Sequence, residues 1–474
     1  MSLLQAVVRA ALGAGMFFWV ALAGAAALPP PVQAALERAR LAPQALALWL
    51  APAADPQAPP RLAWRAQEAM NPASVMKLVT TWAALDQLGP AYTWQTPVYL
   101  DGRIEGTRLQ GNVYIQGRGD PKLVLERLWL LLRRLQAQGV QQIAGDIVLD
   151  RSAFSLPAHD PGAFDGEPQR AYNVAPDALL VNYQALVLSF VPDSRAGLVR
   201  VSAEPPLAGL QLPASLPLAP AGTACGDWRA HLQLDVGDGQ RLRFAGSYPA
   251  SCSERSWALA LPEPQTFAAR AVQGMWQALG GQLTGQVREG RVPAGLQPAF
   301  SQASPPLAEV LRDINKYSNN VMTQQLLLTL GLERGAGGSF EAGRAVVERS
   351  WRAALGEAPL PVLDNGAGLS REARISAEAL GRMLQRAWAA PFMPEYVASL
   401  PIVGVDGTLR RNTSRAAGQA HLKTGSLRDV MALAGYVDGA DGQRWVLVAL
   451  VNHANAAAAR PVLDAALEWA QQSW

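Results

Sequence analysis

Apolar and polar residues recur with two different periods along the chain, and the change of period separates strand-like from helix-like stretches. Residues 46–50 and 62–64 have the composition of short strands, with a turn rich in Pro and Ala between them. A helix is predicted next, because Asn71 can act as its N-cap, Pro72 stands at the first helical position, and a Gly-Pro pair at 89–90 ends it. No other predicted helix has boundaries as clear.

The pattern changes after residue 100 and again after residue 180. Residues 101–150 predict a compact α/β insert with a strand at 112–116, a helix at 121–138 and a strand at 143–149. Residues 181–261 are mostly strand-like and are divided by Pro, Gly and Asp turns. The strands predicted there are 185–191, 198–203, 228–236, 242–248 and 257–261.

Helical periodicity returns in the C-terminal part of the chain. Helices are predicted at 266–279, 304–316 and 319–330, which places Ser318 in a turn between two of them. Three strands and a helix are predicted to end the chain, at 421–426, 430–437, 444–451 and 456–469.

The N-terminus has the pattern of an export signal. Arg9 precedes an uncharged run at residues 10–28, which ends in small residues before Pro29. We expect cleavage near Ala25 or Ala27 and a mature protein in the periplasm. The alternative is an uncleaved anchor, because the 19 uncharged residues of this run can just span a bilayer at ~1.5 Å per residue.

Composition indicates a globular, multidomain protein, since half of the 474 residues are apolar and 17% are charged. The net charge of +3 and the lack of a dense Lys/Arg run argue against a nucleic-acid partner. Cys225 and Cys252 have no neighbours typical of a zinc or redox site, and we expect neither a metal site nor a cofactor. In an exported chain these cysteines are expected to form a disulfide that contributes about 3 kcal/mol; the alternative is two buried free thiols.

Ser74 and Lys77 are the first candidates for chemistry, because residues three apart on a helix lie on the same face. Such a lysine can act as the base for the serine hydroxyl if burial or a second cation lowers its pKa. In a first helical turn the backbone N–H of Ser74 would also be free to support an oxyanion. The spacing alone is weak evidence, since a capped helix with a solvated lysine has the same sequence.

Lysine usage strengthens the hypothesis. The chain has 41 Lys and Arg residues, of which only four are Lys: Lys77, Lys122, Lys316 and Lys423. Arginine cannot be deprotonated in proteins, so a chain that otherwise uses Arg would keep Lys where a guanidinium would fail.

Two further groups have suitable chemistry. Lys423 opens a Lys-Thr-Gly-Ser stretch on a predicted strand, where a cation, a hydroxyl and a Gly could line a carboxylate-binding edge. Ser318 and Asn320 lie in the predicted turn, where a hydroxyl and an amide could relay a proton and hold a peptide. Taken singly, each group is also an ordinary strand start or turn.

The three groups occur in the order Ser-x-x-Lys, Ser-x-Asn, Lys-Thr-Gly, the signature of penicillin-binding proteins and serine β-lactamases. The sequence resembles that superfamily and, more narrowly, the D-alanyl-D-alanine carboxypeptidase/endopeptidases of peptidase family S13, the class C low-molecular-mass penicillin-binding proteins. Asn319 stands where the pattern has Asp, at a tolerant position. The stretches that carry the resemblance are 71–77, 117–121, 172–177, 364–370, 404–409 and 423–429.

The resemblance implies roles for the motif residues. Those expected to be catalytic are Ser74 as the acylated nucleophile, Lys77 as its base and Ser318 in proton transfer. Those expected to bind substrate are Asn320, Lys423, Thr424 and Gly425, with the terminal carboxylate against Lys423 and Thr424. The oxyanion would be held by the backbone N–H groups of Ser74 and Ser426.

The resemblance also implies a fold class, α+β and multidomain. A β-lactamase/transpeptidase-like domain, in which helices flank an antiparallel sheet, would carry a large insert made of a small α/β domain and a nested β-rich domain. The expected division is a signal peptide at 1–27, the catalytic domain at 28–98 and 262–474, the α/β insert at 99–182 and the β-rich insert at 183–261.

The implied function is that of a penicillin-binding serine D-Ala-D-Ala carboxypeptidase and endopeptidase acting on peptidoglycan. Its partners would be peptidoglycan stem peptides and cross-links and, as covalent inhibitors, β-lactam antibiotics; peripheral membrane association stays open. Two alternatives remain: a serine β-lactamase, in which the acyl-enzyme is hydrolysed quickly, and a non-catalytic scaffold that binds wall peptides. A Ser-His-Asp hydrolase is disfavoured by four scattered histidines and the lack of a G-x-S-x-G motif.

Overall fold

The computed structural model describes residues 27–472 of the chain. Apart from Ala27, the predicted signal segment at 1–27 lies outside the described residues, so its cleavage stays a prediction. Of the helices found between residues 27 and 472, none has the length and apolar character needed to cross a membrane.

The first part of the chain supplies the edge of a sheet and the helix predicted after Asn71. Its elements are α1 (Pro30–Ala39), β1 (Leu46–Pro52), β2 (Leu62–Trp64), β3 (Ala69–Met70) and α2 (Lys77–Leu88).

The middle part is dominated by strands. Its elements are β4 (Gln95–Glu105), β5 (Arg108–Gln116), α3 (Leu125–Ala137), β6 (Gln142–Ile143), β7 (Ile147–Asp150), β8 (Leu186–Asp193), β9 (Leu198–Glu204), β10 (Ser215–Pro217), α4 (Trp228–Leu232), β11 (Leu234–Asp235), β12 (Arg243–Phe244), β13 (Arg255–Leu259), α5 (Pro264–Ala278), β14 (Gln282–Leu283), β15 (Val287–Glu289) and β16 (Phe300–Ala303).

The last part contains most of the helices and the strands that complete the first sheet. Its elements are α6 (Leu307–Tyr317), α7 (Asn320–Arg334), α8 (Phe340–Leu355), β17 (Ile375–Ser376), α9 (Ala377–Trp388), α10 (Met393–Ala398), β18 (Ala420–Leu427), β19 (Val430–Asp438), β20 (Arg444–Asn452) and α11 (Arg460–Gln471).

A five-stranded antiparallel sheet in the order β18-β19-β20-β1-β2 joins the two ends of the chain. Successive side chains of a strand point to opposite sides of the sheet. Both sides of this sheet are buried against helices. On β1, Leu48 and Leu50 pack with α1 and α11 on one face. Trp49 and Ala51 pack with α2, α7 and α9 on the other face. The predicted antiparallel sheet flanked by helices is therefore present.

A seven-stranded mixed sheet forms the centre of the middle part, with the path β14-β6-β5-β4-β16 and with β7 paired to β5 and β15. An apolar core that includes α3 and α5 lies beside it. A separate antiparallel sheet, β10-β9-β8-β13, contains the predicted strands near residues 185 and 198.

The pairing of this mixed sheet bears on the expected end of the insert at residue 261. β14 and β15 pair in parallel with β6 and β7, and β16 pairs with β4. These strands lie after residue 261, where the sequence pattern ended the insert. Because strand pairing requires partners in one sheet, we propose that the insert extends to residue 303 and that the catalytic domain resumes near residue 304.

The strand predicted at 228–236 is wrong in its first half. α4 forms there instead, because the Asp227 side chain accepts a hydrogen bond from the Ala230 N–H at 3.3 Å and caps a short helix. Trp228 then packs edge-on against the rings of Tyr248 and Trp257. The alternation of apolar residues reflected this packing rather than a strand, and the strand predicted at 242–248 shortens to β12.

The predicted disulfide between Cys225 and Cys252 is present within the β-rich region. Replacing both cysteines by Ala is expected to destabilise this region by about 3 kcal/mol, because a cross-link restricts the unfolded chain. Limited proteolysis within residues 183–261 at increasing urea concentrations measures the change in the free energy of unfolding of this region. Dithiothreitol should shift the transition of the native protein by the same amount and leave the double variant unchanged; equal midpoints in all samples would contradict the prediction.

Candidate active site

Ser74 lies in a short 3-10 turn, Ala73–Met76, directly before α2. Asn71 Oδ1 accepts a hydrogen bond from the N–H of Ala73 at 2.8 Å. Ala73 has a φ of 47°, in the left-handed region, so Pro72 is not the first residue of one continuous helix, as the sequence indicated. Asn71 is therefore not the N-cap of a helix; its side chain closes a local turn directly before the segment that presents Ser74.

The fully buried side chain of Lys77 makes three contacts. Its Nζ lies 2.9 Å from Ser74 Oγ, 2.7 Å from Asn320 Oδ1 and 2.6 Å from the carbonyl oxygen of Ala367. A neutral amine has two N–H donors and one lone pair. The amide and carbonyl oxygens can only accept, so they take both donors, and the lone pair is left for the Ser74 hydroxyl. The contacts therefore fit a lysine that receives the proton of Ser74.

Burial and a neighbouring charge both favour the neutral form of Lys77. Its pKa lies well below the usual lysine value, first because the buried ammonium loses solvation and second because Lys423 repels it. Burial also lowers the pKa of Lys423, to about 7. The structure thus supplies the two conditions that a lysine base requires, and near neutral pH Lys423 is divided between its charged and neutral forms.

Ser318 lies between α6 and α7, where the helix pattern predicted a turn. It has left-handed backbone angles, with φ 58° and ψ 41°. Asn319 begins the next helix, because its Oδ1 accepts a hydrogen bond from the N–H of Met322 at 3.0 Å. The Ser318 hydroxyl accepts a hydrogen bond from Lys423 Nζ at 2.9 Å. The second and third motifs are therefore in direct contact.

Both ends of the Asn320 amide are engaged by the protein. Oδ1 faces Lys77, and Nδ2 donates to the carbonyl oxygen of Tyr172 at 3.1 Å. Tyr172 belongs to the middle part of the chain, so Asn320 connects the insert to the buried lysine. A substrate group that bound Asn320 would compete with one of these contacts.

The strand β18 passes directly beside the turn that carries Ser74. A Cβ on Gly425 would lie 2.5 Å from the carbonyl oxygen of Pro72 and 3.1 Å from the backbone nitrogen of Ser74. Only glycine allows this approach. Thr424 Oγ1 lies 2.8 Å from Thr408 Oγ1, so the hydroxyl expected to bind substrate has a protein partner of its own.

An open cleft of about 450 Å³ lies over these groups. Its lining brings together Ser74, Ser318, Asn320 and Ser426 with residues of the insert, of the loop before β17 and of the end of β18: Phe164, Asp165, Tyr172, Leu369, Arg371, Leu427 and Arg428. Lys423, Thr424 and Gly425, which were expected to bind substrate, are not among its lining residues. None of these lining residues is a histidine, so the cleft offers no base for a Ser-His-Asp mechanism. Within residues 27–472 no cluster of three or more His, Cys, Asp or Glu is arranged to hold a metal ion.

Several hydrogen-bond partners of the motif residues were not predicted from the sequence. The carbonyl groups of Ala367 and Tyr172 contact Lys77 and Asn320, and the Thr408 hydroxyl contacts Thr424. Backbone carbonyls leave no signal in residue type. The only pointers were the stretches 172–177, 364–370 and 404–409, which supported the resemblance without an assigned role.

A Ser-x-x-Lys pair, a Ser-x-Asn turn and a Lys-Thr-Gly strand around one cleft define the class of serine enzymes that includes the penicillin-binding proteins and serine β-lactamases. A family model, "D-Ala-D-Ala carboxypeptidase 3 (S13) family", matches residues 32–473. The chain belongs to this family, which confirms the resemblance drawn from the motifs.

One curated relative is a D-alanyl-D-alanine carboxypeptidase of Actinomadura sp. (strain R39). It is 30% identical over 397 residues, which cover 79% of this chain and 72% of the relative.

Solved structures confirm the fold. The crystal structure of penicillin binding protein 4 (dacB) from Haemophilus influenzae matches with a TM-score of 0.73 and 22% identity, over 92% of this chain and 98% of that one. The same protein complexed with a novel β-lactam matches with a TM-score of 0.67 and 23% identity, over 89% and 92%. The predatory endopeptidase Bd0816 of Bdellovibrio bacteriovorus, in complex with the immunity protein Bd3460, matches with a TM-score of 0.52 and 16% identity, over 88% and 90%.

Replacing Gly425 by Ala tests the close approach of β18 to the Ser74 turn. The added methyl group would collide with the Pro72 carbonyl and separate the strand from the turn, while the rest of the sheet keeps its pairing. We expect the reactivity of Ser74 towards a fluorescent penicillin to fall at least tenfold, with the circular dichroism spectrum unchanged. Unaltered labelling kinetics would show that the approach has no bearing on the site.

Proposed function

We propose that this protein is a penicillin-binding serine D-Ala-D-Ala carboxypeptidase and endopeptidase that cleaves D-alanyl bonds through an acyl-enzyme on Ser74. The observation that carries the proposal is the set of contacts at Lys77 Nζ, with two obligate acceptors and the Ser74 hydroxyl. A general base that touches its nucleophile is what covalent catalysis by serine requires.

In the acylation step, Ser74 Oγ attacks the carbonyl carbon of the D-Ala-D-Ala peptide bond and gives its proton to Lys77. The backbone N–H groups of Ser74 and Ser426 stabilise the negative charge that develops on the carbonyl oxygen. The C–N bond then breaks, and the proton that Lys77 accepted passes through Ser318 to the leaving amine, which leaves Lys77 neutral again. In the second step Lys77 accepts a proton from the attacking water. As the ester C–O bond breaks, this proton passes to Ser74 Oγ and the shortened peptide leaves with a free carboxyl group.

Recognition of the terminal carboxylate falls to Lys423 and Thr424. Lys423 is fully buried and lies within hydrogen-bond distance of the Ser318 hydroxyl. A bound carboxylate would favour its charged form and raise its pKa from about 7. The carboxylate that β-lactams carry would meet the same groups, and Ser74 Oγ would then open the β-lactam ring to form an ester that hydrolyses slowly.

Substrates of the site are D-alanyl peptides of peptidoglycan, as stem peptides or as cross-links between them. The Actinomadura carboxypeptidase is similar in sequence, and the Bdellovibrio endopeptidase Bd0816 is similar in fold, which supports both activities. A cell-wall substrate requires an extracytoplasmic location, so we also propose that residues 1–27 are a cleaved signal and that the mature enzyme acts in the periplasm.

Replacing Ser74 by Ala provides the central test. The variant should lose covalent labelling by fluorescent penicillin and all release of D-alanine from a pentapeptide, because no other hydroxyl occupies its place beside Lys77. Intact-mass spectrometry should show one penicilloyl adduct per wild-type molecule and none on the variant. Labelling that survives in Ser74→Ala would refute the assignment of the nucleophile, and wild-type binding of wall peptides without D-alanine release would favour the non-catalytic scaffold.

The β-lactamase alternative differs in the fate of the acyl-enzyme. We expect a chromogenic cephalosporin to give a burst of one equivalent followed by slow turnover. Sustained fast turnover would support a β-lactamase.

Mass analysis of digested peptidoglycan separates loss of terminal D-alanine from cleavage of cross-links.

The pKa of Lys423 predicts a pH dependence. Its charged form predominates below about pH 7 and is lost above it, so carboxylate binding should weaken as the pH rises. The second-order rate constant of acylation by benzylpenicillin should therefore fall about tenfold from pH 6 to pH 8, since this constant reports the free enzyme. In Lys423→Met the rate constant should be low and lack this alkaline decrease. A wild-type rate constant that rises up to pH 9 would contradict the prediction.

A further inference from the structure

Two of the four lysines, Lys122 and Lys316, have no role in the proposed mechanism. Lys316 lies in the last turn of α6, two residues before Ser318, and its side chain is only 4% exposed. Its Nζ donates to Asp406 Oδ2 at 2.6 Å and to the carbonyl oxygen of Leu400 at 2.8 Å. A compact ammonium suits these two oxygens, whereas the planar guanidinium of arginine has a different donor geometry.

Asp406 is itself fixed in place. Its Oδ1 accepts a hydrogen bond from the N–H of Ile402 at 2.8 Å. Burial alone would raise the pKa of Asp406, but this hydrogen bond and the ion pair with Lys316 bring it below the usual value. The carboxylate is therefore charged and holds both the end of α6 and its own loop, residues 400–409, which we call the brace loop.

The brace loop also contacts the other wall of the cleft. Its Thr408 hydroxyl lies 2.8 Å from that of Thr424, and the N–H of Val403 donates to the carbonyl oxygen of Ala420 at 3.0 Å. One short loop therefore touches α6, which ends at Ser318, and β18, which carries Lys423 and Thr424. A third contact is close packing: a Cβ on Gly407 would lie 2.6 Å from the carbonyl oxygen of Lys316.

Ser318 depends on such support because its backbone is left-handed, which is unfavourable for a residue with a Cβ. Tyr317 is 66% exposed and adds little packing, while the N–H groups of Ser318 and Asn319 both donate to the carbonyl oxygen of Ile314 and hold the turn locally. These local bonds do not set the position of the turn relative to β18. The contacts of Lys316 fix the last helical turn from which Ser318 projects towards Lys423.

We infer that Lys316 and Asp406 are positioning residues that hold Ser318 in register with Lys423 and Thr424. They contact neither the nucleophile nor its base, and they act through the backbone of α6 and the brace loop. This inference rests on the proposed function, because it assigns the pair to the acylation step. Loss of the Lys316–Asp406 pair should slow acylation, because the Ser318 hydroxyl would be displaced. The effect on substrate binding should be smaller.

The chain offers a matched control on the same helix. Asp313, three residues before Lys316, pairs with Lys122 at 2.5 Å, and its side chain is 31% exposed, close to the 30% of Asp406. Asp313→Asn and Asp406→Asn therefore remove the same charge at equally exposed carboxylates. The lysines differ, since the side chain of Lys122 is 22% exposed and that of Lys316 is 4% exposed, and a double variant controls for this difference. Only Asp406 belongs to the loop that contacts β18.

The experiment measures D-alanine release from a D-Ala-D-Ala peptide and acylation by fluorescent penicillin in wild type and both Asn variants. For Asp406→Asn we expect kcat to fall 10- to 100-fold and KM to change less than threefold; Asp313→Asn should keep both within twofold. Equal losses in the two variants, or a loss confined to KM, would overturn the inference.

The double variant Lys316→Met/Asp406→Asn guards against misfolding, because it leaves no unpaired buried charge. It should fold, label at Ser74 and remain as slow as Asp406→Asn. Recovery of the wild-type rate in the double variant would show that the single variant suffered only from an unpaired lysine. If wild type itself is not labelled, the proposed function fails; if wild type is labelled and Asp406→Asn acylates equally fast, the positioning inference alone fails.

Discussion

The buried amine of Lys77 imposes the strictest constraint on this structure. A charged ammonium removed from water is strongly disfavoured, and the nearby Lys423 adds repulsion. The neutral amine must still satisfy two donors and one lone pair, and Asn320, Ala367 and Ser74 do this from three separate segments. These segments cannot move independently without leaving a buried polar group unpaired. The hydrogen-bonding needs of the Lys77 amine therefore fix the relative positions of these three segments.

The sheet and the insert each hold one part of the surroundings of Lys77 in place. β18 can lie against the Ser74 turn only because Gly425 has no side chain there. The insert reaches the same point through the Tyr172 carbonyl, which holds the amide of Asn320. The insert is thus part of the site's support as well as a wall of the cleft. Its lining residue Phe164 contacts the Arg371 guanidinium, whose carbon lies 4.6 Å from the centre of the ring.

Charge is distributed unevenly between the body of the protein and its site. Arginine supplies most of the positive charge, and its side chains lie largely at the surface. Three of the four lysines are nearly or fully buried around the cleft, at Lys77, Lys316 and Lys423. A guanidinium keeps its charge at all relevant pH values, whereas an ammonium can be deprotonated or held by two or three oxygens. The three buried lysines therefore lie where a side-chain cation that can lose its proton, or one compact enough to bind two or three oxygens, fits and a guanidinium does not.

The sequence by itself determined the strands β19 and β20, because they are long apolar stretches with clear ends. It also determined the order of the motifs, because Ser74, Lys77, Ser318 and Lys423 are recognised by their side chains. The antiparallel sheet as a whole was expected only from the family resemblance that these motifs carry. Tertiary structure decided what depends on backbone position. The left-handed Ala73, the carbonyl partners of Lys77 and Asn320, and the helix that replaced the strand at Trp228 leave little trace in residue type. The parallel pairing of β14 with β6 and of β15 with β7 joins strands distant in sequence. Local periodicity carries no information on such pairings, since they depend on which segments the folded chain brings together.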